Sequence, residues 1–415
     1  MKILILNTSD SGGGAARAAY RLHKSLLTHG VDSIMLVKNK YSNDQLIYSL
    51  SNTKSQKVLS KIIPVIDRLP IRSYKNKTQT LFSPSRVGER NLIKRINEIN
   101  PDIVHLHWVN AGFLKIEDLK KIKAPIVWSL HDMWAFTGGC HYDEMCNAYK
   151  KNCGKCKVLG SVKENDLSRK LIKYKIKNYK QIKNITIVGL SNWIYKCAKS
   201  SNLLKNMKHV NLPNPIDIAL FKPFDKEKAR ELWNLPKDKQ LILFGAMGAT
   251  TDPRKGYIEL KEAIKKLKSN KNIEFVIFGS NKPKNAPDFG FITHYLGNLT
   301  DDISLVTLYS AVDVMVVPSI QENLSNAIME SLACATPVVG FAIGGNSDMI
   351  SHHKTGYLVK PYDTNDLANG IEWVLNNKDY NTLCTNARAK VLNEFDSNIV
   401  AKKYITLYNK ILKSL

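Results

Sequence analysis

Val316-Val317-Pro318-Ser319-Ile320-Gln321-Glu322-Asn323-Leu324-Ser325-Asn326-Ala327-Ile328-Met329-Glu330-Ser331 runs from an apolar strand through a polar turn into an amphipathic helix. A short apolar run, a turn and then apolar residues at helical spacing mark a strand-turn-helix unit. In such a unit the helix N-terminus lies at the carboxyl end of the strand, where its unsatisfied N–H groups favour an anion. The spacing predicts a helix over 323–333, so Asn323, Leu324, Ser325 and Asn326 form a turn suited to a diphosphate. Glu322 opens that turn, and Glu330 follows eight positions later, which on a helix is about 12 Å deeper in the same crevice. That depth suits a ribose, whose two hydroxyls can both donate to a carboxylate. For a bare pair at this spacing the plainer reading is a first-turn acid and a partly buried structural acid.

Outward from this segment, apolar runs alternate with helical patterns along nearly the whole chain, the mark of βαβ units, parallel sheets and an α/β fold. In the first half the expected strands are 2–7, 33–37, 103–108 and 126–130, with a helix at 15–28 and the sheet continued by 185–190 and 209–212. Pro213-Asn214-Pro215 breaks any regular element and marks a domain junction. Beyond it strands are expected at 241–244, 274–278, 314–317 and 338–341, separated by helices at 256–269, 303–310 and 323–333. From Thr364 onward the pattern is helical, interrupted at Phe395-Asp396-Ser397. The expected organisation is two Rossmann-like domains, 1–212 and 213–395, facing each other across a cleft, with a last helix at 396–415 crossing back to the first domain.

A chain of 415 residues with 44% hydrophobic content can bury two cores. It has no run of eighteen apolar residues, and its first apolar segment is too short for a secretory signal, so a cytoplasmic protein is expected. Against 36 acidic residues stand 61 basic ones, a formal charge of +25 that attracts nucleic acid, anionic lipid or phosphorylated substrates. The basic residues are spread through Lys-rich stretches at 163–183 and 261–271, and no zinc-finger His pair, aromatic RNA-binding motif or basic helix-turn-helix accompanies them. Peripheral contact with an anionic membrane is therefore expected over specific nucleic-acid binding, with a merely solvated lysine surface as the bland alternative.

In the first half, Asn7-Thr8-Ser9-Asp10-Ser11-Gly12-Gly13-Gly14 follows a strand and opens a helix. Gly13 and Gly14 can bring backbone close to a diphosphate or sugar, although the run does not spell the dinucleotide fingerprint and also suits a plain tight turn. His131 ends a predicted strand and is aimed at the cleft, whereas His105 and His107 alternate on the preceding strand and default to the core or its wall. Four of the seven cysteines, Cys140, Cys146, Cys153 and Cys156, fall within seventeen residues. Where disulfides are disfavoured, four thiolates in one loop suit a tetrahedral structural zinc, with reduced thiols or redox pairs as the alternatives and His141 as a substitute ligand. A four-ligand zinc leaves no open position, so its role would be to fix the loop.

The opening segment resembles the Glu, seven residues, Glu motif of family 4 (group 1) retaining glycosyltransferases of the GT-B fold. Pro318-Ser319, Gly340-Phe341, Gly344-Gly345-Asn346, Thr355-Gly356-Tyr357-Leu358-Val359, Asn214-Pro215-Ile216-Asp217 and Arg254-Lys255-Gly256 resemble the family's pattern in order, over nearly the whole chain. The resemblance implies a nucleotide-sugar donor, no catalytic cofactor, and a glycan or lipid-linked acceptor in surface-polysaccharide synthesis. It implies that Glu322 and His131 lie by the transferred sugar, that Arg254 and Lys255 hold the diphosphate, and that Glu330 binds the ribose. A subset of the family carries a similar cysteine-rich insertion. Asn323-Leu324-Ser325 departs from the Gly-Phe-Gly of many relatives. The rival readings are a sugar-nucleotide epimerase of similar fold and a basic nucleic-acid-binding protein.

Overall fold

The computed structural model describes all residues except 52, 246, 247, 249, 251, 268–271 and 283–289. Two compact units are present, one made of Met1–Asn214 with Ala401–Leu415 and the other of Pro215–Val400.

The first unit is a parallel sheet of seven strands: β1 (Lys2–Ser9), β2 (Asp32–Asn39), β3 (Ile47–Ser49), β4 (Ile103–Leu106), β5 (Ile126–Leu130), β6 (Ile185–Gly189) and β7 (Lys208–Asn211). Their order is β3-β2-β1-β4-β5-β6-β7, so the chain reverses its direction of travel between β1 and β4. The central strands β4 and β5 are buried along their whole length, as a sheet covered on both faces requires. Leu4, Leu6, Val104, Leu106, Ile126 and Trp128 form the middle of this core. The Gly14–Thr28 helix turns Ala18, Ala19, Leu22 and Leu26 inward. The chain's last helix, Ser397–Leu412, leaves the second unit and contributes Tyr404 and Tyr408, both buried, to the first.

The second unit holds β8 (Gln240–Gly245), β9 (Ile273–Phe278), β10 (Thr293–Tyr295), β11 (Val314–Val317), β12 (Val338–Phe341) and β13 (Gly356–Val359) in the order β10-β9-β8-β11-β12-β13. Every pairing is parallel. Its core gathers Ile242, Phe244, Phe275, Val316, Val339 and Phe341. Both sheets are therefore the α/β kind expected from the alternating pattern.

Three of the differences from expectation lie at strand ends and helix starts. The strand expected at 103–108 ends at Leu106: the N–H of Trp108 goes to the Asn7 side chain (Oδ1, 2.9 Å), while its carbonyl accepts from both the N–H (2.8 Å) and the hydroxyl (3.0 Å) of Thr8. The helix expected at 323–333 begins only at Asn326, with Ser325 as its N-cap. The preceding loop is held by its neighbours in a non-helical path: Ile320 N donates to Arg254 O (2.9 Å), and Glu322 O lies against Gly344. The helix expected at 256–269 is seen as Tyr257–Ile264, and positions 268 and 269 lie outside the described residues.

Candidate functional site

In the second unit three separate segments meet at the carboxyl end of β11. They are the Asp252–Gly256 turn, the Pro318–Ser325 loop and the Gly344–Asn346 turn. Two glycines allow the approach. Gly256 has φ +75° and a side chain there would stand 1.8 Å from Pro318 O, while Gly344 has φ +53° and would meet Glu322 O at 1.6 Å. No residue with a Cβ fits at either point.

This convergence brings Lys255 Nζ to 2.9 Å from Glu322 Oε2, an ion pair with both side chains largely shielded. Beside it Asp252 grips Arg254 in a fork, Nε to Oδ1 at 3.1 Å and Nη2 to Oδ2 at 2.6 Å. Burial works to raise the Asp252 carboxyl, but the Arg254 guanidinium outweighs it and holds the group below the ordinary carboxylate range. Two cations and two carboxylates thus stand at the mouth of the strand. Because the helix starts late, Glu322 and Asn323 precede it instead of forming its first turn. The N-terminal N–H groups belong to Asn326, Ala327 and Ile328, and Ser325 caps them with no side-chain bond. Asn323, Leu324 and Ser325 are buried in the loop itself. Glu330, on the inner side of the helix, is also buried and accepts from the Tyr309 hydroxyl at 3.2 Å.

At the carboxyl end of the first unit's sheet, Gly12 (φ +75°) and Gly13 (φ +113°) make the turn after β1, and the space where their side chains would stand is open. Gly13 is the N-cap of the Gly14–Thr28 helix and supplies no side-chain cap. Asp10 ties this turn down by accepting from the N–H groups of Tyr41 and Ser42, each at 2.9 Å.

His131, one residue beyond β5, is half-buried and shares a 2.8 Å hydrogen bond with His107, from Nε2 to Nδ1. Burial pulls His131 down to about 4, so its ring is neutral at physiological pH. His105 lies beside His107, ring centroids 4.5 Å apart, and is held between Tyr408 Oη (2.7 Å) and Ser129 Oγ (2.8 Å). The chain from Tyr408 to His131 is what sequence reasoning missed. Its only sequence signal is the alternation of His105 and His107 on one strand, which equally describes two core residues.

Asp132 accepts from His141 Nδ1 (2.6 Å), Trp108 Nε1 (3.0 Å) and Trp134 N (2.8 Å). Burial works to raise its carboxyl, but His141 and these donors hold it below the usual range. The other nitrogen of His141 meets Ser83 Oγ at 2.8 Å, so both are engaged and His141 is removed as a substitute metal ligand. Cys140, Cys146, Cys153 and Cys156 line one small cavity and form no disulfide. Among the described residues no three His, Cys, Asp or Glu side chains are arranged as a ready-made metal site.

The model of glycosyl transferases group 1 matches residues 225–391, and that of glycosyltransferase family 4 matches residues 12–173. The capsular polysaccharide biosynthesis glycosyltransferase CapM of Staphylococcus aureus is 27% identical over 241 residues, covering 55% of this chain and 62% of the relative. The match spans 41% to 54% of three further curated glycosyltransferases, and 82% of the putative colanic acid biosynthesis glycosyl transferase WcaC of Escherichia coli at 23% identity. Among solved structures, sucrose-phosphate synthase of Thermosynechococcus elongatus superimposes with TM-score 0.71 at 18% identity, covering all of both chains. Anabaena HepE, solved in complex with UDP-glucose, does so with TM-score 0.66 at 15% identity and the same coverage. These likenesses identify the fold as GT-B.

Proposed function

The chain belongs to the group 1 (family 4) glycosyltransferases, and from that membership we propose that it transfers a sugar from a nucleoside-diphosphate sugar to a glycan or lipid-linked acceptor, with retention, in surface-polysaccharide synthesis. The observation that carries the reading is the Lys255–Glu322 ion pair, with Arg254 beside it, on the loop that leads into the Asn326–Ala333 helix. A leaving diphosphate gains negative charge as its bond to the sugar breaks, and fixed cations with oriented N–H groups stabilise that charge without a metal. Lys255 and Arg254 turn from their carboxylates to the diphosphate, and the Lys255–Glu322 pair opens, leaving Glu322 for the sugar. Glu330 accepts from the ribose hydroxyls. His131, a neutral donor, acts on the sugar from its own unit, and Gly13 and Gly14 let the backbone approach the substrate.

In the transfer the bond from the anomeric carbon to the phosphate oxygen breaks and a bond to the acceptor oxygen forms on the same face. The acceptor's proton passes to the departing phosphate oxygen, so no second flanking carboxylate is required. Similarity to CapM, a capsular polysaccharide biosynthesis glycosyltransferase, and to HepE, solved with UDP-glucose, supports a polysaccharide role and a nucleotide-sugar donor. Turnover of a panel of nucleotide sugars tests the reading, with Glu330→Ala losing donor affinity about tenfold or more. Epimerised donor without transfer would favour the epimerase instead, and unchanged donor affinity would remove Glu330 from the ribose.

A second observation supports peripheral contact with an anionic membrane on the inner face of the cell. No described helix is long and apolar enough to cross a membrane. The Lys54–Asp67 helix, however, turns Ser60, Ile63 and Asp67 inward and leaves Val58, Leu59, Ile62, Val65 and Ile66 exposed on one stripe. Lys57 and Lys61 lie beside that stripe and Arg68 follows it. An apolar face edged with cations is the pattern of a helix lying in a lipid interface. Ile62→Glu should weaken sedimentation with phosphatidylglycerol vesicles, and equal sedimentation of the variant, or none by the wild type, would end this reading.

A further inference from the structure

The reaction proposed above makes no use of the loop between His131 and the Leu167–Tyr179 helix, although that loop concentrates the chain's sulfur. Cys140 and Cys156 are buried, Cys153 is half-buried, and Cys146 lies at the surface end of the group. All four line a single void of about 10 Å³, with Thr137 and Tyr149 completing its wall. A void of that size admits one small occupant, of the order of a single water.

The chain folds back on itself to gather the four cysteines around this void. The backbone bends sharply to bring this about: Glu144, Met145, Asn147, Cys153 and Lys155 all have φ between +45° and +62°. Asp143 holds the first bend, its carboxylate accepting from Met145 N (3.2 Å) and Asn147 N (2.9 Å). The Lys175 ammonium, fully buried, reaches the carbonyls of Trp134 and Thr137 at the back of the same cluster. Its charge offsets part of the negative charge that thiolates would bring.

We propose that Cys140, Cys146, Cys153 and Cys156 bind one zinc ion in the void they line. Each thiol loses its proton to solvent as the metal enters, giving a tetrahedral site of four sulfurs and a net charge of two negative, beside one buried ammonium. Four metal–sulfur bonds then draw the sulfurs that line the void onto one centre. The ion is structural, since no ligand position stays open for water or substrate. It clamps the loop whose Met133 N donates to His141 O (2.9 Å) and whose His141 holds Asp132, directly after His131.

The test is metal analysis of the full-length protein purified without chelator. About one zinc per chain is expected, and exchange for cobalt should produce the intense thiolate-to-cobalt absorption of a four-sulfur site. Cys146→Ser, at the exposed end of the cluster, should lower zinc retention at least tenfold against a chelator, while Cys384→Ser should leave it unchanged. A metal-free native protein with all seven thiols reactive after unfolding would overturn the proposal, as would a disulfide between any two of the four cysteines. The wild-type metal content decides the matter even if Cys146→Ser fails to fold. Because the readout is bound metal and not sugar transfer, the outcome is independent of the glycosyltransferase reading.

Discussion

The carboxyl ends of the two sheets are built differently. In the second unit the groups come from short segments that each carry their own signature: a basic pair before a glycine, a strand-turn-helix with two glutamates, and a glycine turn. They meet because Gly256 and Gly344 let backbone touch backbone. In the first unit the groups are joined by side chains from distant parts of the chain, Tyr408 to His105 and His107 to His131. A site built on backbone approach is read from local patterns, while one built on side-chain contacts between strands and a terminal helix is not.

That contrast is most severely tested at Gly344. Alanine there must find room 1.6 Å from a carbonyl oxygen at φ +53°, so a loss of about 3 kcal/mol in the second unit's stability is expected. Thermal unfolding of Gly344→Ala measures it, and a change below about 0.5 kcal/mol would mean that the close approach is not needed.

Next in size is Lys255→Ala. If Lys255 takes charge from the leaving diphosphate, kcat falls about 100-fold while the fold is kept. Steady-state turnover with the best donor of the panel reads this, and a loss confined to KM would reduce Lys255 to uniform binding.

A third effect concerns pH and separates the two units. His23 and His105 are fully buried, and burial lowers them to about 4 and about 3. Both titrate at about 6.5 once unfolded. The unfolded chain then binds more protons than the folded one as pH falls below about 6.5, so stability is complete above that value. It is lost on acidification through the window down to the folded pKa, by up to about 1.4 kcal/mol per pH unit for each histidine. Hydrogen exchange at pH 7.5 and pH 5.0 should show protection of β1 and β4 falling while that of β11 and β12 holds. Equal loss in both sheets would erase the distinction.

Much of the fold was legible because parallel strands buried on both faces are continuous apolar runs, as at 126–130, 314–317 and 338–341. The short edge strands β3 and β10 were not, since three residues carry no period. The late start of the Asn326–Ala333 helix was also illegible, because residues 319–325 follow contacts to Arg254 and Gly344 over any helical preference of their own. The outward apolar stripe of the Lys54–Asp67 helix has an ordinary amphipathic period, and only its packing reveals which side faces the core.

The sequence by itself determined the class of fold, the family, and the residue types at the second unit's strand ends, since periodicity and local motifs survive in one dimension. Only the tertiary structure decided that Glu322 pairs with Lys255, that four cysteines line one void, and that a terminal helix supports His105. These are contacts between residues from 16 to 303 positions apart at their extremes. No local pattern encodes such a contact, because it is chosen by the packing of whole elements against one another.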